Sequence, residues 1–124
     1  MTLKMTTLRK CAIAAIGLLT AAQAFAGNPP KREFRSAWLA TVWAIDWPKT
    51  SGQSARKTEL NAYLDAYESI NATGICFQVR CMADAMYQSN LAPWSQYISG
   101  TRGTSPGWDP LAYAVEQCHA RGLE

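Results

Sequence analysis

The order in which hydrophobic patterns follow one another constrains the fold of this chain more than any other feature of its sequence. Residues 34–42 are rich in β-branched and aromatic side chains and predict a strand, which Pro48 would end. Residues 54–71 repeat apolar side chains at spacings of three and four, as in an amphipathic helix, and residues 74–80 predict a second strand. A loop with several prolines and glycines follows over residues 81–108. With a second helix after it, the predicted order is strand, helix, strand, loop, helix.

Capping residues predict where the helices begin and end. Ser51 or Ser54 is expected to cap the start of the first helix. Asp109, followed by a proline, is typical of the start of the second helix, and Gly122 of its end. One short helical turn is expected within the long loop, around residues 83–89.

Strands that alternate with helices pair in parallel through right-handed crossovers. Two such units fit both a doubly wound sheet and an eightfold barrel. The second strand favours the barrel, because Cys76, Gln78 and Arg80 occupy the face opposite its apolar residues. Helices would cover that face in a doubly wound sheet, whereas a barrel lumen ends in an active site. We therefore expect an α/β chain that forms the first two βα units of a (β/α)8 TIM barrel, with Gln78 and Arg80 in a pocket. An ion pair of Arg80 inside the barrel is the alternative.

The first 26 residues have the three parts of a secretory signal peptide. Lys4, Arg9 and Lys10 precede an apolar run at residues 11–22, and residues 24–26 (Ala-Phe-Ala) supply a small-residue cleavage site. The run is shorter than the roughly 20 residues that span a bilayer, so a retained membrane helix is the weaker interpretation. We expect residues 1–26 to be removed and the protein to be exported to the periplasm or the cell surface.

Removal of this segment would also remove the net charge. The chain has 12 Lys and Arg against 9 Asp and Glu, a formal charge of +3, and the whole excess lies within residues 1–26. The balanced remainder gives no reason to expect nucleic acid or an acidic membrane surface as a partner. Residues 27–124 stop just after a helix end, and we expect them to be the N-terminal part of a longer domain.

Several motifs resemble those of glycosyl hydrolase-like family 10. They lie at residues 31–48 (KREFRSAWLATVWAIDWP), 77–80 (FQVR), 83–87 (ADAMY), 93–95 (PWS), Tyr97 and 107–110 (GWDP). This family comprises exported bacterial TIM-barrel proteins, distinct from the xylanases that share its number, and includes a divisome-localised peptidoglycan glycosidase. The resemblance covers nearly all of residues 31–124, although Ala44 stands where Asn is common and Cys81 where Pro often follows the arginine. It implies a glycoside hydrolase that acts on a polysaccharide or a peptidoglycan glycan strand and needs no cofactor.

Glycoside hydrolysis requires a carboxylic acid and a second carboxylate, about 5 Å or about 6.5–9.5 Å apart. Asp46 and Asp84 are the carboxylates that follow the predicted strands, at the end where barrel active sites form. The resemblance does not assign the acid and the base among these residues. We therefore leave the catalytic pair open and expect Asp46 and Asp84 to orient sugar hydroxyls.

Four tryptophans, Trp43, Trp47, Trp94 and Trp108, fall in predicted loops after strands. Flat aromatic faces stack against sugar rings, and ordinary burial is the alternative. Trp43 is the first candidate, because it lies just beyond the end of the first strand. The predicted substrate-binding residues are Trp43, Asp46, Gln78, Arg80, Asp84 and Trp94.

The remaining reactive side chains carry little functional signal. Cys76, Cys81 and Cys118 lack the spacing of a zinc site and are expected to act as small buried hydrophobes. His119 is expected to be a solvated helix residue, and no metal site is predicted. Three functions remain possible, in decreasing order of support: a glycan-cleaving enzyme, a non-catalytic carbohydrate-binding barrel, and a thiol or metal protein.

Overall fold

Two parallel strands, three α-helices and one 3-10 turn (Val42–Ala44) are the regular elements in the part of the chain that the computed structural model describes, residues 33–124. The strands are β1 (Ser36–Leu39) and β2 (Gly74–Phe77), and the helices are α1 (Gln53–Ser69), α2 (Gln96–Ser99) and α3 (Pro110–Ala120). Ser36 pairs with Gly74 and Leu39 with Phe77. The chain is thus an α/β chain with a parallel sheet, as predicted. The predicted signal peptide lies outside the described residues.

Both strands are shorter than the sequence predicts, and at the end of β1 hydrogen bonds between Ala40 and the loop replace strand pairing. The Asp46 carboxylate accepts the N–H of Ala40 at 2.8 Å, immediately after β1. The Ala40 carbonyl in turn accepts the N–H groups of Asp46 and Trp47, each at 3.2 Å. These bonds close the chain into a loop where the hydrophobic pattern alone would extend the strand to Val42.

Helix α1 begins without the predicted serine cap. Its N-cap is Gly52, with φ of 83°, and no side chain caps the first turn. The Glu59 carboxylate instead accepts the N–H groups of Lys49 (3.0 Å) and Thr50 (3.1 Å) in the preceding loop. A side chain nearly two turns into the helix thus orders the entry to α1, and the prediction of Ser51 or Ser54 as the cap was wrong.

Helix α3 is capped as predicted. The Asp109 carboxylate accepts the N–H of Ala112 at 2.9 Å, and Pro110 occupies the first turn. Gly122 follows the helix with φ of 68°, a left-handed conformation that glycine adopts at little cost.

The short helix of the long loop lies later than predicted. Residues 83–89 form bends and irregular backbone, with Ala85 bridged to Trp94, and the helical turn is α2, whose N-cap Ser95 accepts the N–H of Tyr97. Ala83 has φ of 55°, and Asp84 accepts the N–H of Met82 with its side chain at 3.2 Å. Such local side-chain bonds compete with helix formation, and they win here.

The core lies between the sheet and the helices, on one face of the sheet. Trp47 at its centre makes edge contacts with Phe77 and Trp108, with ring centroids 5.5 and 6.4 Å apart. The other buried members of the cluster are Leu39, Leu60, Leu64, Met86, Ile98, Ala114, Cys118 and Leu123. On the opposite face of the sheet, Trp38 is 63% exposed. Among the described residues, therefore, α1 and α3 pack on the same face of the sheet.

The last residue pairs with the free edge of β2. The Glu124 N–H donates to the Thr73 carbonyl at 2.9 Å, and the Glu124 carbonyl accepts the N–H of Ile75 at 2.8 Å. These two bonds flank Gly74 in the pattern of a parallel pairing. β2 therefore has β1 on one side and the C-terminal residues on the other, so successive parallel segments lie side by side.

Candidate functional site

The amide side chain of Gln78 bridges the carboxyl ends of the two strands by hydrogen bonds. The Gln78 Oε1 atom accepts the N–H groups of Thr41 at 2.9 Å and Val42 at 3.0 Å. The Thr41 hydroxyl donates to the Gln78 carbonyl at 2.7 Å, and the Gln78 N–H donates to the Leu39 carbonyl at 3.0 Å. Gln78, which the sequence places in a ligand pocket, thus uses its side-chain oxygen within the protein.

The turn that Gln78 holds has an unusual backbone. Trp43 and Ala44 have φ of 51° and 53°, and the Ile45 N–H donates to the Val42 carbonyl at 3.1 Å. Left-handed non-glycine residues cost of the order of 1–3 kcal/mol each and persist only where neighbouring contacts enforce them. The two hydrogen bonds that Gln78 accepts contribute about 0.5–1.5 kcal/mol each, which is comparable to this conformational cost. The side chain of Trp43 is 70% exposed on this turn.

Asp46 closes the base of the same loop. Besides the bond from Ala40 to its carboxylate, the Asp46 carbonyl accepts the hydroxyl of Tyr63 on α1 at 2.9 Å. Burial raises the pKa of Tyr67, and the charge of Asp46 raises it further. Asp46 is half-buried, and its described contacts connect the loop to helix α1.

Asp84 is buried at the end of the second strand, with 2% of its surface exposed. Its Oδ1 atom lies 3.2 Å from the Met82 N–H and 3.4 Å from the Cys81 thiol. Burial raises its pKa, but hydrogen bonds from Ser95, Met82 and Cys81 outweigh burial and lower it. The carboxylate is therefore held ionised by donors of its own loop. The predicted bonds of Asp84 to sugar hydroxyls stay a prediction.

Arg80 differs from its neighbours, because its side chain is exposed and makes no hydrogen bond or ion pair with the described residues. The predicted alternative, an ion pair inside a barrel, therefore has no partner in this part of the chain. Arg80 and Trp43 follow adjacent parallel strands, so both lie at the carboxyl end of the sheet. They are the two predicted site residues whose side chains are exposed there.

The other tryptophans of the predicted loops are at least partly buried. Trp47 is fully buried in the core, where its ring nitrogen donates to the Arg56 carbonyl at 3.1 Å, so it cannot stack on a sugar. Trp108 packs against that core with the Lys57 ammonium 5.3 Å from its ring centroid. Trp94 is half-buried against the same core. Burial therefore accounts for Trp47, and largely for Trp108, better than sugar binding does.

The long segment between β2 and α3 is fixed by side chains that sequence reasoning missed. The Arg56 guanidinium donates to the carbonyls of Thr50 at 3.1 Å and Ile98 at 2.6 Å. Arg102 donates to the Met82 carbonyl at 3.1 Å, and Asp109 accepts the N–H of Gln88 at 3.1 Å. These partners are distant in sequence, so no local pattern reveals them.

The described cysteines and histidine do not assemble into a reactive centre. Cys118 is buried, while Cys76 and Cys81 are half-buried and none of the three forms a disulfide. Burial and the charge of Asp84 raise the pKa of Cys81, although a hydrogen bond with Thr41 opposes this. His119 is exposed on α3, as predicted. Within residues 33–124, no group of three metal-ligating side chains is brought together, and no helix has the length and apolarity to cross a membrane.

Comparison with known proteins assigns this chain to a family. Residues 33–124 match the family Glycosyl hydrolase-like 10. Glycosyl hydrolase YngK of Bacillus subtilis (strain 168) is 41% identical over 95 residues, which are 75% of this chain and 19% of that protein. Glycosyl hydrolase DigH of Escherichia coli (strain K12) is 33% identical over 99 residues, 73% of this chain and 23% of that protein. The chain spans about a fifth of the length of these relatives, and it belongs to the glycosyl hydrolase-like 10 family.

Proposed function

We propose that this chain is the N-terminal part of a (β/α)8-barrel glycoside hydrolase that acts on a polysaccharide or on the glycan strand of peptidoglycan. Membership of the family supports the reaction class. The side-by-side order of β1, β2 and the C-terminal residues, with α1 and α3 on one face, supports the barrel, because successive barrel strands are neighbours and helices cover only the outside. On this proposal Trp38 and Cys76 face the lumen.

The observation that carries the proposal is the exposure of Trp43 at the carboxyl end of a parallel strand. Barrel enzymes build their sites from the loops at that end. Trp43 is 70% exposed, and its backbone is in the left-handed region, which is costly for a residue other than glycine. The fold therefore exposes an apolar ring to solvent at a conformational cost. A sugar ring stacked on the indole would bury this surface, and the guanidinium of Arg80 supplies donors to sugar oxygens at the same edge.

The roles of the aspartates follow from their bonds. Asp46 and Asp84 each accept backbone N–H groups, so we assign them to shaping the loops around the glycan. The acid and the base of hydrolysis are not assigned among the described residues. On its own this chain is therefore proposed to be inactive as a hydrolase.

A non-catalytic carbohydrate-binding barrel is the second candidate. It is favoured by one observation, namely that both carboxylates at the strand ends are occupied by backbone donors. Such a protein would retain Trp43 and Arg80 as ligand contacts. Release of reducing ends from purified glycan by the full-length protein separates the two candidates, since only the enzyme produces them.

The proposed setting is the periplasm or the cell surface. It rests on the signal-peptide pattern of residues 1–26. Glycan is the only partner proposed, and the reaction class needs no cofactor.

The test compares Trp43→Ala and Arg80→Ala with Ile70→Ala in the full-length protein. Ile70 is also a large exposed apolar residue, but it follows α1 at the opposite end of the sheet. Binding to purified peptidoglycan glycan strands and to a soluble polysaccharide is measured by calorimetry, with thermal unfolding alongside. Each site variant should weaken binding at least tenfold, about 1.4 kcal/mol, at an unchanged melting temperature, while Ile70→Ala binds normally. Normal binding by both site variants would overturn the proposal.

A further inference from the structure

Gln78 has a different task from the one its position in the strand suggests. Its Oε1 atom accepts two consecutive N–H groups, those of Thr41 and Val42, across the gap between the strand ends. Its Nε2 atom donates to no group among residues 33–124. One side-chain oxygen from the end of β2 thus fixes the backbone that leads into the turn after β1.

That turn cannot hold its shape by local preference. Trp43 and Ala44 both occupy the left-handed region, which side-chain-bearing residues rarely adopt. Within the turn, the Ala44 N–H donates to the Thr41 carbonyl at 3.0 Å, and the Ile45 N–H donates to the Val42 carbonyl at 3.1 Å. The N–H groups of Thr41 and Val42, which precede Trp43, are bonded to Gln78. Loss of the Gln78 oxygen therefore removes two restraints at the start of the turn, while the bonds between Ala40 and Asp46 remain.

We infer that Gln78 is a positioning residue, which acts on glycan through Trp43 by holding the strained turn that presents the indole ring. This inference rests on the proposed function, since it requires Trp43 to contact the sugar. It replaces the earlier expectation that Gln78 itself lines the ligand pocket. Both strands then contribute to glycan binding at the carboxyl end of the sheet. Trp43, after β1, supplies the ring, and Gln78, after β2, fixes its orientation.

The variants that test this separate the oxygen of Gln78 from its amide nitrogen. Gln78→Leu removes both, whereas Gln78→Glu keeps an acceptor for the two N–H groups and loses the donor. Gln88→Leu is the matched control, because Gln88 is exposed and its side chain bonds to no described group. All are made in the full-length protein and titrated with purified peptidoglycan glycan strands, with turnover measured where hydrolysis occurs.

A positioning role predicts a specific pattern. Gln78→Leu should weaken glycan binding about tenfold and raise KM with kcat nearly unchanged, because uniform binding is lost. Gln78→Glu should bind within about twofold of the unchanged protein, and so should Gln88→Leu. Combining Gln78→Leu with Trp43→Ala should add little to the loss from Trp43→Ala alone, because the two act as one unit. Hydrogen exchange at the Thr41 and Val42 amides should accelerate in Gln78→Leu and not in Gln78→Glu.

Three outcomes would overturn the inference. Gln78→Glu as defective as Gln78→Leu would show that the amide nitrogen contacts the glycan directly. Additive losses in the double variant would show that Gln78 acts independently of Trp43. Normal binding by Gln78→Leu beside defective Trp43→Ala would leave the proposed function standing and remove the positioning role, whereas normal binding by Trp43→Ala would remove the proposed function itself.

Discussion

Replacing Asp84 by asparagine should destabilise the fold, because the carboxylate is a buried structural acceptor. Its Oδ1 atom receives the Met82 N–H at 3.2 Å and the Cys81 thiol at 3.4 Å, and Ser95 also bonds to it. Hydrogen bonds to a charged group contribute about 1.5–3 kcal/mol and neutral ones about 0.5–1.5 kcal/mol. The difference is roughly 1 kcal/mol per bond. With part of it offset by no longer burying a charge, Asp84→Asn should lower the free energy of unfolding by about 2 kcal/mol.

Urea unfolding of the full-length protein at several pH values measures this loss. Asp65→Asn is the matched control, because Asp65 is 62% exposed and forms a surface ion pair with Arg121, whose loss should cost less than about 1 kcal/mol. Because the folded state lowers the pKa of Asp84 below its ordinary 3.8, its stabilisation is fully present above that value and is lost as the pH falls through the folded pKa. The gap between the unchanged protein and Asp84→Asn should thus be constant from about pH 5 to 7 and shrink below about pH 4. Equal stabilities over the whole range, with glycan binding lost instead, would refute the structural role.

Four further outcomes are expected. Gly74→Ala should cost about 1–3 kcal/mol of stability, because its Cβ would lie 2.6 Å from the Glu124 carbonyl oxygen, while Ser36→Ala on the paired strand should be nearly neutral in the same urea assay. Asp109→Ala should lose about 1–2 kcal/mol through the cap of α3, and Asp109→Asn should restore the cap but not the bond of the second carboxylate oxygen with the Gln88 N–H. Mass spectrometry of exported protein should show a chain that starts at or near Gly27, and an uncleaved membrane-bound product would contradict this. Residues 27–124 alone should unfold at low temperature or aggregate, since strand edges stay unpaired, and a sharp cooperative transition of a soluble monomer would count against it.

Patterns with local causes were predicted well from the sequence. The strand and helix order follows from hydrophobic spacing, and the Asp109 cap follows from one residue and its next three neighbours. The parallel pairing follows from the same alternation. In each case the chemistry that decides the structure lies within a few residues or is a rule of chain topology.

Features decided by distant partners were predicted poorly. The bond from the Thr41 N–H to Gln78 joins residues 37 positions apart, so the sequence did not reveal that the Gln78 oxygen bonds within the protein. The hydrogen bond from Ser95 to Asp84 joins residues 11 positions apart in a segment without periodicity, so the sequence did not reveal it. Trp47 was grouped with the loop tryptophans that could stack on a sugar, since only the packing of Phe77 and Trp108 around it decides for the alternative of burial. The exposure of Trp43, by contrast, agrees with the place that sequence reasoning gave it.

The side-chain anchors of the segment between β2 and α3 have a consequence for the thermodynamics of ligand capture. Arg102 and Asp109 close loops within this segment through their bonds to Met82 and Gln88, and Arg56 of α1 anchors it through its bond to Ile98. Each closure removes conformational freedom during folding, when the rest of the chain is being ordered as well. A ligand that docks against the segment then has little disorder left to remove, which raises affinity without any added contact. The loops beside Trp43 and Arg80 are in this sense set before the ligand arrives, so calorimetry of binding should show a small ordering entropy.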